Sequence, residues 1–569
     1  MNESYWANVL NQRLGRRRAL AATGVAATSA VLLAACGSGS SNSSSGKGAD
    51  SSGFVAKPAD TTAQAKRGGI SKDRAFADPP TLDILTSNNP WGSAGQKVYN
   101  SLVLFKPGYL KPTENEVGPD LAESWEYPPD GLQITLKLRS NLKFHNKPPV
   151  NGRAVDMDDV LFSWNRFAKM GSRRTEIVNA ANPNAPVLSV TAADARTLVF
   201  KLKEPFVSLL NYLEIQGAGN PHILPKEADS QIDIRQKVIG TGPFVLAEYT
   251  PSVGTVWKRN TNYYDKVRPY LDLVNEPIIS EYAQGVAQLQ AGSLHTYAVR
   301  GEDILSVKGY APALQVYQSD VAVLGQQTIF GWKPDPPERS PFRDIRLRQA
   351  YSMAWDRDLV IDVVYNVGKF ATQGLPVETR WSTAIPANFY EGWWLDPKGK
   401  EFGENARYFQ HNLAEARKLI AAAGFQNGVD VVSNTFTTAE YGPDFPKQVD
   451  LIEGMAAEAG FKFVRNVVNY NTDFIPKFRD AKGNFEGLSY KLLAGGASDA
   501  VSGLLAGFSV KAGSDGFHGF DVDGKGNFGG DPYIDDQLSK AKAEVDAEKQ
   551  KAIVGHLVPS RNDRSARNA

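Results

Sequence analysis

Gln133-Ile134-Thr135-Leu136-Lys137-Leu138-Arg139 sets Ile134, Leu136 and Leu138 against polar neighbours in strict alternation. Thr197-Leu198-Val199-Phe200-Lys201-Leu202 does the same with Leu198, Phe200 and Leu202. Successive strand side chains point to opposite faces, so both stretches predict half-buried strands. Between them the period changes: Asp158 to Lys169 gathers Val160, Leu161, Trp164 and Phe167 on one helical face behind Asp156, whose carboxylate suits a free helix N-terminus. That face reads as core rather than binding surface. Short strands and amphipathic helices alternate from Gly68 onward and no period of about 20–50 residues recurs, so the class is α/β without solenoid repeats.

Working outward, a second helix is predicted after Asp344, carrying Leu347, Ala350, Tyr351 and Ala354 inward. A third runs from Leu413 to Ala423, capped by Asn412 and stopped by Gly424. Gly240 and Gly242 permit a tight turn, Pro243 stiffens it, and Phe244 starts a strand. Lys333-Pro334-Asp335-Pro336-Pro337 lacks backbone donors and reads as a connector crossing between lobes. Asn146 to Arg153 reads as a surface loop. A chain of 569 residues exceeds what one core fills, so two or three packed lobes are expected.

Lys and Arg number 63 against 62 Asp and Glu, which leaves no field to attract nucleic acid by charge alone. The single cysteine, Cys36, excludes an intramolecular disulfide and thiolate-built zinc sites. Its context explains it. Arg16-Arg17-Arg18 precedes the small and apolar run Ala19 to Ala35, closed by Leu33-Ala34-Ala35-Cys36-Gly37, which reads as a signal peptide with a lipoprotein cleavage box. Residues 1–36 are thus expected to be signal peptide, with lipid on Cys36. Arg17 and Arg18 fit a twin-arginine export signal, and the basic cluster fits an ordinary secretory signal equally well. Residues 37–52 are almost all Ser, Gly, Asn and Asp, a flexible tether.

The mature chain resembles the family 5 extracellular solute-binding proteins, which include oligopeptide, dipeptide and nickel receptors. The resemblance is carried in order by Ala77-Asp78-Pro79-Pro80-Thr81-Leu82-Asp83, Tyr99-Asn100-Ser101-Leu102-Val103, Pro119-Asp120-Leu121-Ala122-Glu123-Ser124-Trp125-Glu126, Leu142-Lys143-Phe144-His145, Gly240-Thr241-Gly242-Pro243-Phe244, Arg268-Pro269-Tyr270-Leu271-Asp272, Leu289-Gln290-Ala291-Gly292 and Asp344-Ile345-Arg346-Leu347. It implies a two-lobed periplasmic-binding-protein-like fold of type II, in the large class with an extra subdomain in lobe I. Lobe I is expected at 53–98, 187–325 and 526–569, the subdomain at 99–186 and lobe II at 326–525. The implied function is capture of a small solute, peptides foremost, by lobe closure and delivery to an ABC importer. The implied partners are the ligand and the permease subunits. The protein is expected to be a monomer held at the cell membrane by its lipid, periplasmic or at the cell surface.

In peptide receptors of this family an Asp pairs with the peptide's amino terminus, and the resemblance places Asp499 of Gly496-Ala497-Ser498-Asp499 at about that point. Asp499 reads equally as a turn-capping carboxylate. Gly496 stands where the family usually has Trp, which weakens the carry-over to a peptide. Replacement aromatic walls are sought in Trp91, Trp332, Tyr390, Trp393 and Trp394, with Tyr99 and Asn100 beside the expected cleft. The family's C-terminal helix is recognisable from Tyr533 to about Leu557, after which residues 558–569 show no periodicity and depart from the pattern; part of the lobe I core is then expected to be missing.

The six histidines lack metal-binding spacing, and Asp521 to Asn527 lacks the later ligands of a calcium loop. Neither nucleophile elbow, phosphate loop nor dinucleotide fingerprint occurs, so no catalysis, cofactor or metal is expected. A receptor for a metal chelate or oligosaccharide, and a ligand-sensing module, are the competing readings.

Overall fold

The computed structural model describes residues 53–555 except 76–77, 80, 86–91, 109, 111–115, 207, 215–219, 319–325, 334–339, 376, 388–391, 437–440, 443, 493–498, 514–516, 520–527 and 545, all within one compact unit. In chain order, β1 (Ile70–Lys72) is followed by a short antiparallel ribbon of β2 (Val103–Phe105) and β3 (Val117–Pro119). Then β4 (Ala122–Glu126), β5 (Gln133–Leu138), β6 (Val187–Ala192) and β7 (Thr197–Leu202) form an antiparallel sheet of order β4-β5-β7-β6. β8 (Phe244–Thr250), β9 (Gly254–Arg259) and β10 (Leu273–Pro277) complete a sheet opened by β1, of order β1-β10-β9-β8. A third sheet joins β11 (Gln326–Phe330), β12 (Val429–Thr435), β13 (Phe461–Val467) and β14 (Leu488–Leu492) in the order β11-β14-β12-β13.

The alternating stretches become β5 and β7, paired directly with Ile134 opposite Phe200 and Leu136 opposite Leu198, and these four side chains are buried. Helix Met157–Met170 starts after Asp156, whose carboxylate accepts from Asp159 N–H while Asp159 returns the bond to Asp156 N–H. Val160, Trp164 and Phe167 are buried on it. Asp344 and Asn412 likewise cap helices Ile345–Ala354 and Leu413–Ala422. The sheet completed by β6 and β7 crosses the expected 186/187 boundary, because their strand partners β4 and β5 lie in 99–186.

Three expectations need physical correction. Neither Gly240 nor Gly242 has left-handed φ; a Cβ on Gly240 would lie 2.1 Å from the Val98 carbonyl oxygen, and one on Gly242 2.5 Å from that of Lys97. These glycines serve close backbone approach. The segment from Asn146 to Arg153 is anchored, with Val150 buried against Phe144, Ile232 and Ile239, and Arg153 reaches both Asp159 and Glu227. The C-terminal helix is two helices, Pro532–Ala543 and Ala547–Gly555, because Glu544 is extended and the Asp546 carboxylate takes the N–H groups of Glu548 and Lys549. Together with helix Ala500–Phe508 they enclose a core of Val501, Leu504, Phe508, Ile534, Leu538 and Val554.

A polar knot joins segments far apart in the chain. Gly242 N–H donates to Val98 O at 2.7 Å and His145 N–H to Gly240 O at 2.8 Å. The His145 Nε2 bonds Gly242 O at 3.0 Å, and Asn260 donates to the same oxygen at 2.9 Å. Thr241 donates to Asn100 Oδ1, while the Asn100 amide donates to Asp120. Asp120 also accepts from Ser101 N–H and Tyr264 OH. Burial pushes Asp120 up to about 6 despite these donors.

Gly240→Ala is expected to lower the unfolding free energy by about 1–3 kcal/mol. Gly309→Ala, on an open face of helix Ile304–Tyr310 with nothing within 4 Å, is expected to raise it by up to ~1 kcal/mol; urea unfolding of both variants checks the opposite signs. Burial depresses the His145 pKa to about 4 from 6.5. The unfolded chain therefore gains its proton first, and this stability, fully present above pH 6.5, is lost as pH falls through 4. The stability gap between wild type and His145→Gln is expected to narrow by about 2 kcal/mol from pH 7 to pH 5 in urea titrations.

Candidate functional site

β12, β13 and β14 run parallel, so Thr435, Val467 and Leu492 end at one edge of their sheet, where antiparallel β11 enters with Gln326. In open α/β sheets the crevice outside the carboxyl ends of strands is where backbone groups and loop side chains converge. Here Phe436 packs against Phe445, Tyr470 and Phe474 with ring centroids 4.6 to 5.2 Å apart, and Tyr441 closes the group at 5.0 Å. From β13 the chain passes into a π-helix, Tyr470–Arg479, where Phe474 N–H reaches back to Asn469 O. Pro476 within it has no N–H to give an α-helical ladder.

The polar groups at this edge differ in how far they are satisfied. Arg479 forms an ion pair with Asp480 at 2.7 Å. Lys491 on β14 lies near both, and burial lowers its ammonium to about 8, with Asp480 opposing that shift. Gln327 stands opposite Lys491, and Gln326 opposite Leu492. The Gln326 Nε2 and Oε1, and the Gln327 Oε1, are buried without a hydrogen-bond partner. At a nearby seam, Gly301 abuts the Tyr365 backbone and Lys447 pairs with Glu302 at 2.5 Å.

A separate polar surface is built on helix Ala500–Phe508. Asp499 is its N-cap: Oδ1 accepts from Ser502 N–H at 2.8 Å and Oδ2 from Ser502 Oγ at 2.7 Å. The capping reading of this carboxylate is thereby realised in the geometry. Ser502 also meets the buried Tyr212 hydroxyl, whose ionisation burial pushes up. The Arg173 guanidinium lies 5.2 Å from the Tyr212 ring and binds Glu176 through two nitrogens. Beside Tyr212 a cavity of ≈ 220 Å³ opens between Phe206 and Leu505, with Lys203, Lys511 and Lys542 among its walls. Lys542 pairs with Glu204 at 2.8 Å.

The residues singled out by sequence scatter. Tyr99 is buried in the core, its ring stacked 6.0 Å from His222, and Asn100 is committed to the polar knot. Their motif reads as cleft-lining, whereas packing and hydrogen bonding hold both inside the lobe. Trp332 is buried under Arg348, at 4.8 Å, with its backbone N–H on Gly483 O. Trp393 and Trp394 pack against the core of the C-terminal helices, and Trp394 donates to Trp381 O at 3.0 Å. Trp91, Tyr390, Gly496, Cys36, Arg17 and Arg18 lie outside the described residues, as do 521–527 and 558–569. Sequence reading missed Gln326, Lys491 and Tyr212, whose only signal is nearness to a strand's carboxyl end or a partner distant in sequence. Among the described residues no cluster of metal-ligating side chains occurs, and no helix is long and apolar enough to cross a membrane.

Residues 116–508 match the family model described as bacterial extracellular solute-binding proteins, family 5 middle. Heme-binding protein A of Haemophilus influenzae is 27% identical over 364 residues, a match spanning 61% of this chain and 60% of that protein. Di/tripeptide-binding protein 1 of Pseudomonas aeruginosa is 27% identical over 66% of this chain and 67% of its own length. Among solved structures, the ABC transporter-associated periplasmic binding protein DppA of Helicobacter pylori, in complex with the peptide STSA, superposes with a TM-score of 0.68 at 20% identity. That superposition covers 88% of this chain and 91% of the other, and the fold it shares is the two-lobed α/β binding-protein fold. The chain belongs to the bacterial extracellular solute-binding proteins of family 5.

Proposed function

We propose that this protein is an extracytoplasmic receptor that captures peptides between its lobes and delivers them to an ABC importer. The observation that carries the reading is the chemistry at the carboxyl end of the third sheet and at the start of helix Ala500–Phe508. An acidic helix cap at Asp499, buried amides at Gln326 and Gln327, a buried ammonium at Lys491 and a cluster of rings match the ammonium, amide, carboxylate and side-chain groups of a short peptide. The relatives named as di/tripeptide-binding support the same ligand class. A ligand touching both lobes stabilises the closed arrangement by the difference in its affinity for closed and open forms. The function needs no bond chemistry. Lobe I is assigned to 53–98, 203–325 and 526–569, its subdomain to 99–202, which keeps the β4-β5-β7-β6 sheet whole, and lobe II to 326–525. The protein is monomeric.

Calorimetric titration with di- and tripeptides tests the reading, and absence of heat with every peptide would sink it. Asp499→Asn keeps an oxygen for Ser502 N–H and is expected to fold with wild-type stability, whereas Asp499→Ala loses about 1 kcal/mol of capping. If Asp499 also meets the peptide ammonium, the Asn variant weakens peptides with a free amino terminus about tenfold or more and leaves N-acetylated peptides unaffected. An equal effect on both would remove Asp499 from the ligand contacts.

The lipid anchor is part of the same proposal, and the motif Leu33-Ala34-Ala35-Cys36 supports it. Cys36→Ser is expected to abolish acylation and move the protein from the membrane fraction to the soluble extracytoplasmic fraction. Unchanged fractionation by immunoblot would overturn the anchor and leave the receptor reading standing.

A further inference from the structure

We infer that Gln326 reads the backbone N–H and C=O of one residue of the bound ligand, an assignment that deepens the peptide-receptor reading and rests on it. Side chains on one face of the third sheet form a polar row. Thr328 stands opposite Tyr490, Tyr490 OH meets Tyr351 OH at 3.0 Å and donates to Glu453 at 3.1 Å, and Ser433 donates to the same carboxylate. Gln326 lies two residues before Thr328, hence on this face, at the edge where the strands' carboxyl ends open into the crevice. There the pairing stops: both Nε2 and Oε1 are buried and neither has a partner.

A primary amide left unpaired in a dry site costs free energy at both its donor and its acceptor. A methionine would fill similar space without either cost, so the position is best explained by a partner that arrives with the ligand. The complement of a side-chain amide is a group offering one carbonyl and one N–H together. Within one trans peptide unit the C=O and N–H point apart, but the N–H and C=O of a single residue in an extended peptide point to the same side and do so. A carboxylate satisfies the donor alone and an ammonium the acceptor alone. Lys491 and Gln327 share the opposite face and so leave this amide to itself.

The test compares wild-type full-length protein with Gln326→Met. Expected are a ligand-free Tm no lower than wild type, and a loss of about tenfold or more in affinity for trialanine. Wild type is also expected to discriminate between trialanine and ester analogues that replace each peptide N–H in turn, with the preference for one position lost in the variant. A fall of several degrees in the ligand-free Tm would overturn the inference by showing that the amide holds the fold. Unchanged affinity would overturn it by leaving the amide to solvent. If wild type binds no peptide, the peptide reading fails separately. Titration of glutamine-labelled protein with propionamide against propionate, followed at the Gln326 side-chain NH2 resonances, then decides the amide assignment: a shift with the amide alone sustains it, and equal or absent shifts overturn it.

Discussion

The closeness of Gly240 and Gly242 to the backbone of Lys97 and Val98 is the constraint on which the first part of the molecule depends. Only where no Cβ intervenes can Gly242 N–H reach Val98 O, and only then does the turn present its carbonyls to His145 and Asn260. Asn100 and Asp120 extend the same network into the strands that follow. Segments separated by more than a hundred residues are thereby fixed with few bonds, each buried where an unmet partner is costly. Four of the eight ordered sequence motifs contribute residues to this knot. Their order along the chain reports fold rather than ligand.

Local features were legible because local physics determines them. Alternation located β5 and β7, and short polar side chains before apolar periods located the caps at Asp156, Asp344 and Asn412. What was hidden depends on partners far away in sequence. No pattern within 99–186 reveals that its sheet is finished by β6 and β7. Asp499 could be read as cap or as ligand contact until Ser502 was placed against it. The break at Glu544 follows from Asp546 capping a new helix in a stretch whose composition alone reads as continuous. Aromatic residues misled for a similar reason, since Trp332 and Tyr99 fill cores as readily as pockets.

The candidate ligand-contacting groups lie on two unlike surfaces. One is the carboxyl edge of a mostly parallel sheet, rich in rings and incompletely paired amides; the other is a helix start held by its own cap and facing Tyr212. The ion pairs Lys447–Glu302 and Lys542–Glu204 have partly exposed members and contribute little to stability.

β1 has one neighbour in its sheet, β10, and their pairing joins Ile70 to Leu273. During synthesis the opening strand of this sheet waits until some two hundred residues more have been made. The β4-β5-β7-β6 sheet lies wholly inside that interval and needs nothing from outside it to pair. Assembly is therefore nested: the inserted sheet is complete before the sheet that brackets it, and a chain caught partway carries a finished module inside an unfinished one.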